Sequence, residues 1–171
     1  IGPDFLTRDI LGRNSQLNLF DGGLITGRFS VGTLTTVALC EVNLFGGELD
    51  NSLLTYKTTT VNVFMELGEL RPITLDHSVL NVYPDARISS TNATNSTVNL
   101  LGGTVGRVRI KTGSTLNMFA GSLGSGLLQG GDAVISGGSL GSSFAINTQE
   151  STLTLQGGDF QLDGTPITAP P

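Results

Sequence analysis

The apolar and polar positions of this chain alternate in short segments that recur along most of its length. Each segment has a central residue, usually asparagine, with one residue on either side that is apolar in every copy. Glycines soon follow in most copies, although the segments of Asn62 and Asn81 lack a double glycine. The central positions are Asn18, Asn43, Asn62, Asn81, Asn99, Asn117, Val134 and Thr154. Their spacing of about 19 residues is typical of a solenoid coil and too short for a propeller blade.

The flanking positions predict a strand with one buried face, because apolar residues two positions apart lie on the same side of a strand. A second apolar column follows the glycines and comprises Ile25, Leu49, Leu70, Ile88, Val105, Leu123, Leu140 and Phe160. A third column comprises Phe29, Leu53, Ile73, Ile110, Leu128, Phe144 and Leu162. Three short strands per coil, joined by glycine turns, predict an all-β chain folded as a right-handed parallel β-helix of about eight coils.

The repeat also predicts how the chain is divided. Residues 1–14 lie outside the repeat and include Phe5, Leu6, Ile10 and Leu11, so we expect them to cap the exposed core of the first coil. Residues 15–167 form the predicted β-helix and 168–171 a short tail. This tail is too polar to cap the other end, so we expect the native protein to continue beyond Pro171.

The repeat resembles a known group of repeat proteins. The segments TVNLLGGTVG from Thr97, TLNMFAGSLG from Thr115 and GGDFQLDGTPI near the C-terminus are similar to repeats of large secreted bacterial proteins, common in planctomycetes and marine bacteria. The resemblance covers about residues 15–167. It implies a β-helix and a secreted or cell-surface location, and it implies no catalytic residues.

The composition and net charge of the chain restrict the classes of partner that it is expected to bind. Charged residues make up 13% of the chain and the net charge is −5, which argues against nucleic acid, whose binding requires clustered Lys and Arg. The sequence contains no apolar run long enough to cross a membrane. A single cysteine, Cys40, excludes an internal disulfide and is expected in the core.

The most distinctive outward column lies two residues after the central position. It reads Phe20, Phe45, Phe64, Tyr83, Leu101 and Phe119. The rings could stack on one another beneath a covering segment, form an interface between copies of the chain, or bind carbohydrate. We favour the interface, and therefore predict a homo-oligomer, dimer or trimer.

The central asparagines form a second outward column, running through Asn18, Asn43, Asn62, Asn81, Asn99 and Asn117. Stacked amides can bond from coil to coil, so we expect a structural ladder, with ligand contact as the alternative.

Two further groups of residues are weaker candidates for chemistry. Glu48, Asp50, Glu69 and Arg71 would form a charged cluster if two coils were in register, able to share a proton, hold Ca²⁺ or act as an acid/base pair; a solvated surface cluster is the simpler interpretation. The only histidine follows an aspartate, as Asp76-His77, and is expected on a surface turn.

The basic residues Arg107, Arg109 and Lys111 alternate with apolar residues, so they form either a solvated face or a patch for acidic polysaccharide.

These observations predict an extracellular structural or adhesive β-solenoid that self-associates through its aromatic column. A carbohydrate-binding β-helix is the alternative. We expect no cofactor, no metal and no catalytic residues, because the long loops and clustered ionisable groups of a polysaccharide lyase or hydrolase are missing from the sequence.

Overall fold

The computed structural model describes residues 5–6, 14–26, 29–32, 39–49, 52–64, 72–157, 161–162 and 165–166. All regular structure in these ranges is β-strand. The first nine strands are β1 Phe5–Leu6, β2 Ser15–Leu19, β3 Leu24–Thr26, β4 Phe29–Val31, β5 Cys40–Leu44, β6 Glu48–Leu49, β7 Leu53–Thr55, β8 Thr59–Val63 and β9 Ile73–Asp76. The others are β10 Val79–Val82, β11 Arg87–Thr94, β12 Thr97–Lys111, β13 Thr115–Gln129, β14 Asp132–Ile135, β15 Ser139–Ile146, β16 Leu153–Leu155, β17 Gln161–Leu162 and β18 Thr165–Pro166.

Equivalent strands of successive turns pair in parallel, which confirms the predicted β-solenoid. The column containing the central residues, which we name the first column, consists of β2, β5, β8, β10, the first parts of β12 and β13, β14 and β16. Its pairing aligns Asn81 with Asn62 and with Asn99. Asn62, Asn81 and Asn99 follow one another at 19 and 18 positions, so the central turns have nearly the same length, whereas Asn18 and Asn43 are 25 positions apart.

The strands form about six turns, somewhat fewer than the eight that the sequence predicts. Eight strands do stack in the first column. After its last member, β16, no described strand pairs with β15 to continue the opposite side of the solenoid. The last repeat of the sequence therefore adds a strand to the first column without a described strand that completes its turn.

Inward side chains of the first column form one continuous apolar core with those of the second face, which we define as β4, β7, β9, β11, the later parts of β12 and β13, and β15. Val42, Val61, Leu80 and Val98 are fully buried, and Cys40 is buried with them. Alternation places every second residue of a strand inward, so the pattern of short apolar pairs is what drives these strands together.

The predicted second column is present, with Ile25 opposite Leu49 and Ile88 aligned with Val105, Leu123 and Leu140. In place of the single third column that the sequence predicted, the second face carries two. Phe29, Leu53 and Ile73 align with Thr91, Val108, Gly126 and Phe144, whereas Val31, Thr55 and Leu75 align with Ala93, Ile110, Leu128 and Ile146. The predicted third column therefore joined residues of two columns, because each of these strands directs two side chains inward.

The two ends of the solenoid differ. Phe5 and Leu6 of the predicted cap form a strand parallel to β3, with Phe5 opposite Ile25; the rest of residues 1–13 lies outside the described ranges, so the cap stays a prediction. Toward the other end, Leu140 and Ile146 occupy inward columns but are 40% and 49% exposed.

Within the described ranges, no helix has the length and apolar character needed to cross a membrane.

Candidate interaction surface

Four aromatic rings stack along the outside of the first column, and we name Phe20, Phe45, Phe64 and Tyr83 the aromatic ladder. The ring centroids are separated by 5.2 Å for Phe20 and Phe45, 5.0 Å for Phe45 and Phe64, and 4.2 Å for Phe64 and Tyr83. The rings are within 10–17° of parallel. The distances are close to the strand spacing of about 4.8 Å, so the pairing of the turns sets the stacking.

Backbone bonds fix the ladder just beyond the ends of the paired strands. Phe45 donates its N–H to the carbonyl of Leu19 at 2.9 Å, and Phe64 donates to the carbonyl of Leu44 at 2.9 Å. Tyr83 donates to Val63 at 3.0 Å in the same way. Three of the four rings are therefore anchored to the preceding strand of the first column by a backbone hydrogen bond.

The outer surface of this ladder is accessible in the described structure. Phe20 is 60% exposed and Phe45 44% exposed, whereas Phe64 and Tyr83 are half-buried. Stacking covers the ring faces but leaves their edges open. The result is a row of aromatic edges on a rigid sheet.

The predicted column changes beyond Tyr83. Leu101 is half-buried and pairs with Ala120, not with Phe119, because the register shifts between Leu100 and Leu101. Phe119 is the extra residue of this β-bulge and is 55% exposed. Four of the six predicted interface residues thus form a continuous stack, while Phe119 projects from an irregular rung.

Beside the rings, side-chain amides form the asparagine ladder, which runs from Asn18 through Asn43, Asn62, Asn81 and Asn99 to Asn117. Asn43 donates Nδ2–H to Oδ1 of Asn18 at 3.0 Å, and the later bonds measure 2.8, 2.8, 2.8 and 2.9 Å. Every bond has the same direction, so the amide dipoles are aligned and polarise one another. This ladder stiffens the sheet that carries the rings.

Glu41 joins this ladder, a role that the sequence pattern did not reveal. Its carboxylate accepts a bond from Nε2 of Gln16 at 3.1 Å and one from Nδ2 of Asn62 at 3.2 Å. Asn43 and Asn62 are buried, at 6% and 9% exposure, although they lie on the outward side of the strands. The signal available in the sequence was the position of Gln16 and Glu41, two residues before their asparagines.

The predicted charged cluster lies largely outside the described residues. Glu48 belongs to β6, where its backbone pairs with Leu24, but Asp50, Glu69 and Arg71 fall in ranges that the structure does not describe. In the parts of the chain that are described, no group of three His, Cys, Asp or Glu residues is arranged to hold a metal ion.

His77 lies on a turn between strands and contacts its neighbour Asp76, with 2.6 Å between Nδ1 and Oδ1. Both side chains are accessible, at 51% and 38% exposure. His77 has φ of 52°, and its N–H donates to the carbonyl of Thr94 at 3.1 Å. Its backbone therefore forms a corner of the solenoid in the left-handed conformation.

Comparison with known proteins identifies no relative: no protein-family model, curated protein or solved structure matches the chain. The parallel solenoid that the repeat resemblance implied is present in the structure.

Proposed function

We propose that this chain is an extracellular structural or adhesive module whose rods associate with one another through the aromatic ladder. The observation that carries the proposal is the continuous stack of four rings with open edges, two of them 60% and 44% exposed. Contiguous exposed apolar surface is uncommon on monomeric proteins and marks interaction sites.

The ladder has the properties of a good protein interface. Aromatic residues are enriched in interface cores, where they supply large contact area. Stacking on neighbouring rungs holds each ring in place, so association would cost little further side-chain entropy. A second copy offers the same row of edges, and two matching rows can pack side by side in a symmetric dimer or, around a threefold axis, a trimer.

The extracellular location rests on the resemblance of the repeats to those of secreted bacterial proteins. A secreted rod with a self-association face would serve as a spacer, scaffold or adhesin, because its length is set by the number of turns and its side faces remain available.

Solution mass, measured by light scattering after size exclusion, tests self-association. The wild-type chain is compared with Phe20→Ser/Phe45→Ser, which alters the two most exposed rings of the ladder. The matched control is Leu54→Ser/Leu127→Ser, because both leucines are half-buried and direct their side chains outward from the second face.

We expect a wild-type dimer or trimer, a monomeric ladder variant and a control of wild-type mass. Circular dichroism of each variant verifies that the strands are retained. A wild type that stays monomeric up to about 100 μM would refute the proposal; a dissociation constant of that size corresponds to about −5.5 kcal/mol of association free energy.

A further inference from the structure

Three cations project from one strand on the second face, on the far side of the Gly102–Gly103 corner from the first column. Arg107, Arg109 and Lys111, which we name the cationic row, alternate along β12 with Val108 and Ile110. Both apolar residues are fully buried, so the strand directs the three cations outward. Alternate side chains on a parallel strand are about 6.6 Å apart, which sets the spacing of the charges.

The neighbours of the row leave its charge unneutralised. On β11, Ser90 and Asn92 lie opposite Arg107 and Arg109. On β13, Ser125, Leu127 and Gln129 lie opposite the three cations in turn. None of these positions carries a carboxylate, and in the described part of the chain the only ion pair joins Asp76 and His77.

The Nε of the Arg109 guanidinium lies against the sheet and is not bonded to a protein acceptor. Its Nε is buried and makes no hydrogen bond among the described residues, although the residue as a whole is half-buried. Arg107 and Lys111 on either side are exposed. Arg87, also exposed, lies on the adjacent strand and extends the positive surface.

The pattern of neutral groups around the cations distinguishes between classes of polyanion. Hydroxyl and amide groups at Ser90, Asn92, Ser125 and Gln129 are suited to bonding sugar hydroxyls. Single-stranded nucleic acid binds by stacking its bases on aromatic rings, and no aromatic residue lies among the outward neighbours of this row.

We propose that the cationic row binds a linear acidic polysaccharide, with its carboxylate or sulfate groups on Arg107, Arg109 and Lys111 and its hydroxyls on the flanking polar side chains. This site lies on a different face from the aromatic ladder and goes beyond the proposed self-association. Because the row provides a few charges on an open surface, binding should weaken as salt rises.

The test measures binding of the full chain to size-defined polygalacturonate, dextran sulfate, neutral dextran and single-stranded DNA by isothermal titration in low salt. The test variant is Arg107→Gln/Lys111→Gln. Its charge-matched control is Thr97→Glu/Gln156→Glu, which lowers the net charge by the same two units on the first-column side of the coil.

We expect wild type to bind at least one of the two acidic polysaccharides and not neutral dextran, and the test variant to bind about tenfold more weakly, because it has lost two of the three cations of the row. Preference for polygalacturonate or for dextran sulfate identifies carboxylate or sulfate as the recognised group. The charge-matched control should retain most of the wild-type affinity.

Four outcomes would overturn the proposal. They are no binding to either acidic polysaccharide, equal binding to neutral dextran, equal weakening in both variants, and tighter binding to DNA than to either polysaccharide. Size exclusion of the test variant provides an independent check that the solenoid remains folded, because this variant leaves both ladders unchanged.

Discussion

Asn117 pairs with Val134 on the neighbouring strand, and the asparagine ladder ends at this pair. Each asparagine of the ladder after Asn18 donates Nδ2–H to the asparagine one turn earlier, so Oδ1 of Asn117 is left to face Val134. A valine side chain has no hydrogen to donate. The ladder therefore stops at Asn117, two positions before the end of its column, which continues with Val134 and Thr154.

Val134→Asn should extend the ladder by one bond. The new Nδ2–H would reach Oδ1 of Asn117 by the geometry of the earlier rungs and contribute about 1 kcal/mol to the free energy of unfolding. The reference is Val134→Ala, which removes the same half-buried apolar side chain without adding an amide. Urea unfolding compares the two variants, and equal stabilities would contradict the extension.

Asn81→Ala should destabilise the solenoid from within the ladder. Asn81 donates to Asn62 at 2.8 Å and accepts from Asn99 at 2.8 Å, so its removal leaves one acceptor and one donor unpaired. We expect a loss of about 1–3 kcal/mol in urea unfolding. Asn92→Ala, at a half-buried outward asparagine on the second face, is the control and should change stability by less than about 0.5 kcal/mol. Similar losses in the two variants would show that the ladder adds nothing.

Gly126→Ala should introduce a clash in the core. Gly126 is buried opposite Phe144, and a Cβ there would overlap Cδ2 and Cε2 of the phenylalanine ring. Overpacking of this kind costs about 1–3 kcal/mol. Repeating the substitution in a Phe144→Leu background should reduce the cost, because the shorter side chain vacates the space. A double-mutant cycle with no coupling between the two positions would rule out this contact as the cause.

His77→Gly should be more stable than His77→Ala. Both variants lose the contact with Asp76, but only glycine adopts φ near 52° without the steric cost of a Cβ. The expected difference is about 1 kcal/mol in thermal or urea unfolding. If the alanine variant is the more stable of the two, backbone strain at this corner does not determine the stability of variants at residue 77.

Much of the solenoid could be predicted from the sequence because its rungs are nearly identical. Apolar residues on both sides of each central position identify the buried face, and a period of 18 or 19 residues aligns one asparagine with the next. The position of the rings follows from the same alignment, since each lies two residues after its asparagine.

Features that do not change the spacing could not be predicted. The bulge at Phe119 leaves the repeat length unchanged. Asn99 aligns with Asn117 before the bulge and Thr104 aligns with Ser122 after it, both at a separation of 18 residues. The two columns that replace the predicted third column were merged in the prediction because each passes through a buried polar residue that breaks the apolar pattern, Thr91 in one and Thr55 in the other. The link through Glu41 depends on side-chain reach, which an alternation of apolar and polar residues does not encode.

The constant length of the central turns has a consequence for how such a chain can change over generations. Asn81, Asn99 and Asn117 are separated by 18 residues each, and each bonds to its counterpart in the turn before it. Duplication or loss of 18 residues in this region would therefore add or remove one whole turn and let the same contacts re-form. Each such event would alter the reach of the rod by about 4.8 Å while its cross-section stays unchanged. Slippage between tandem copies in the gene would therefore change the length of the solenoid without changing the residues that each turn exposes.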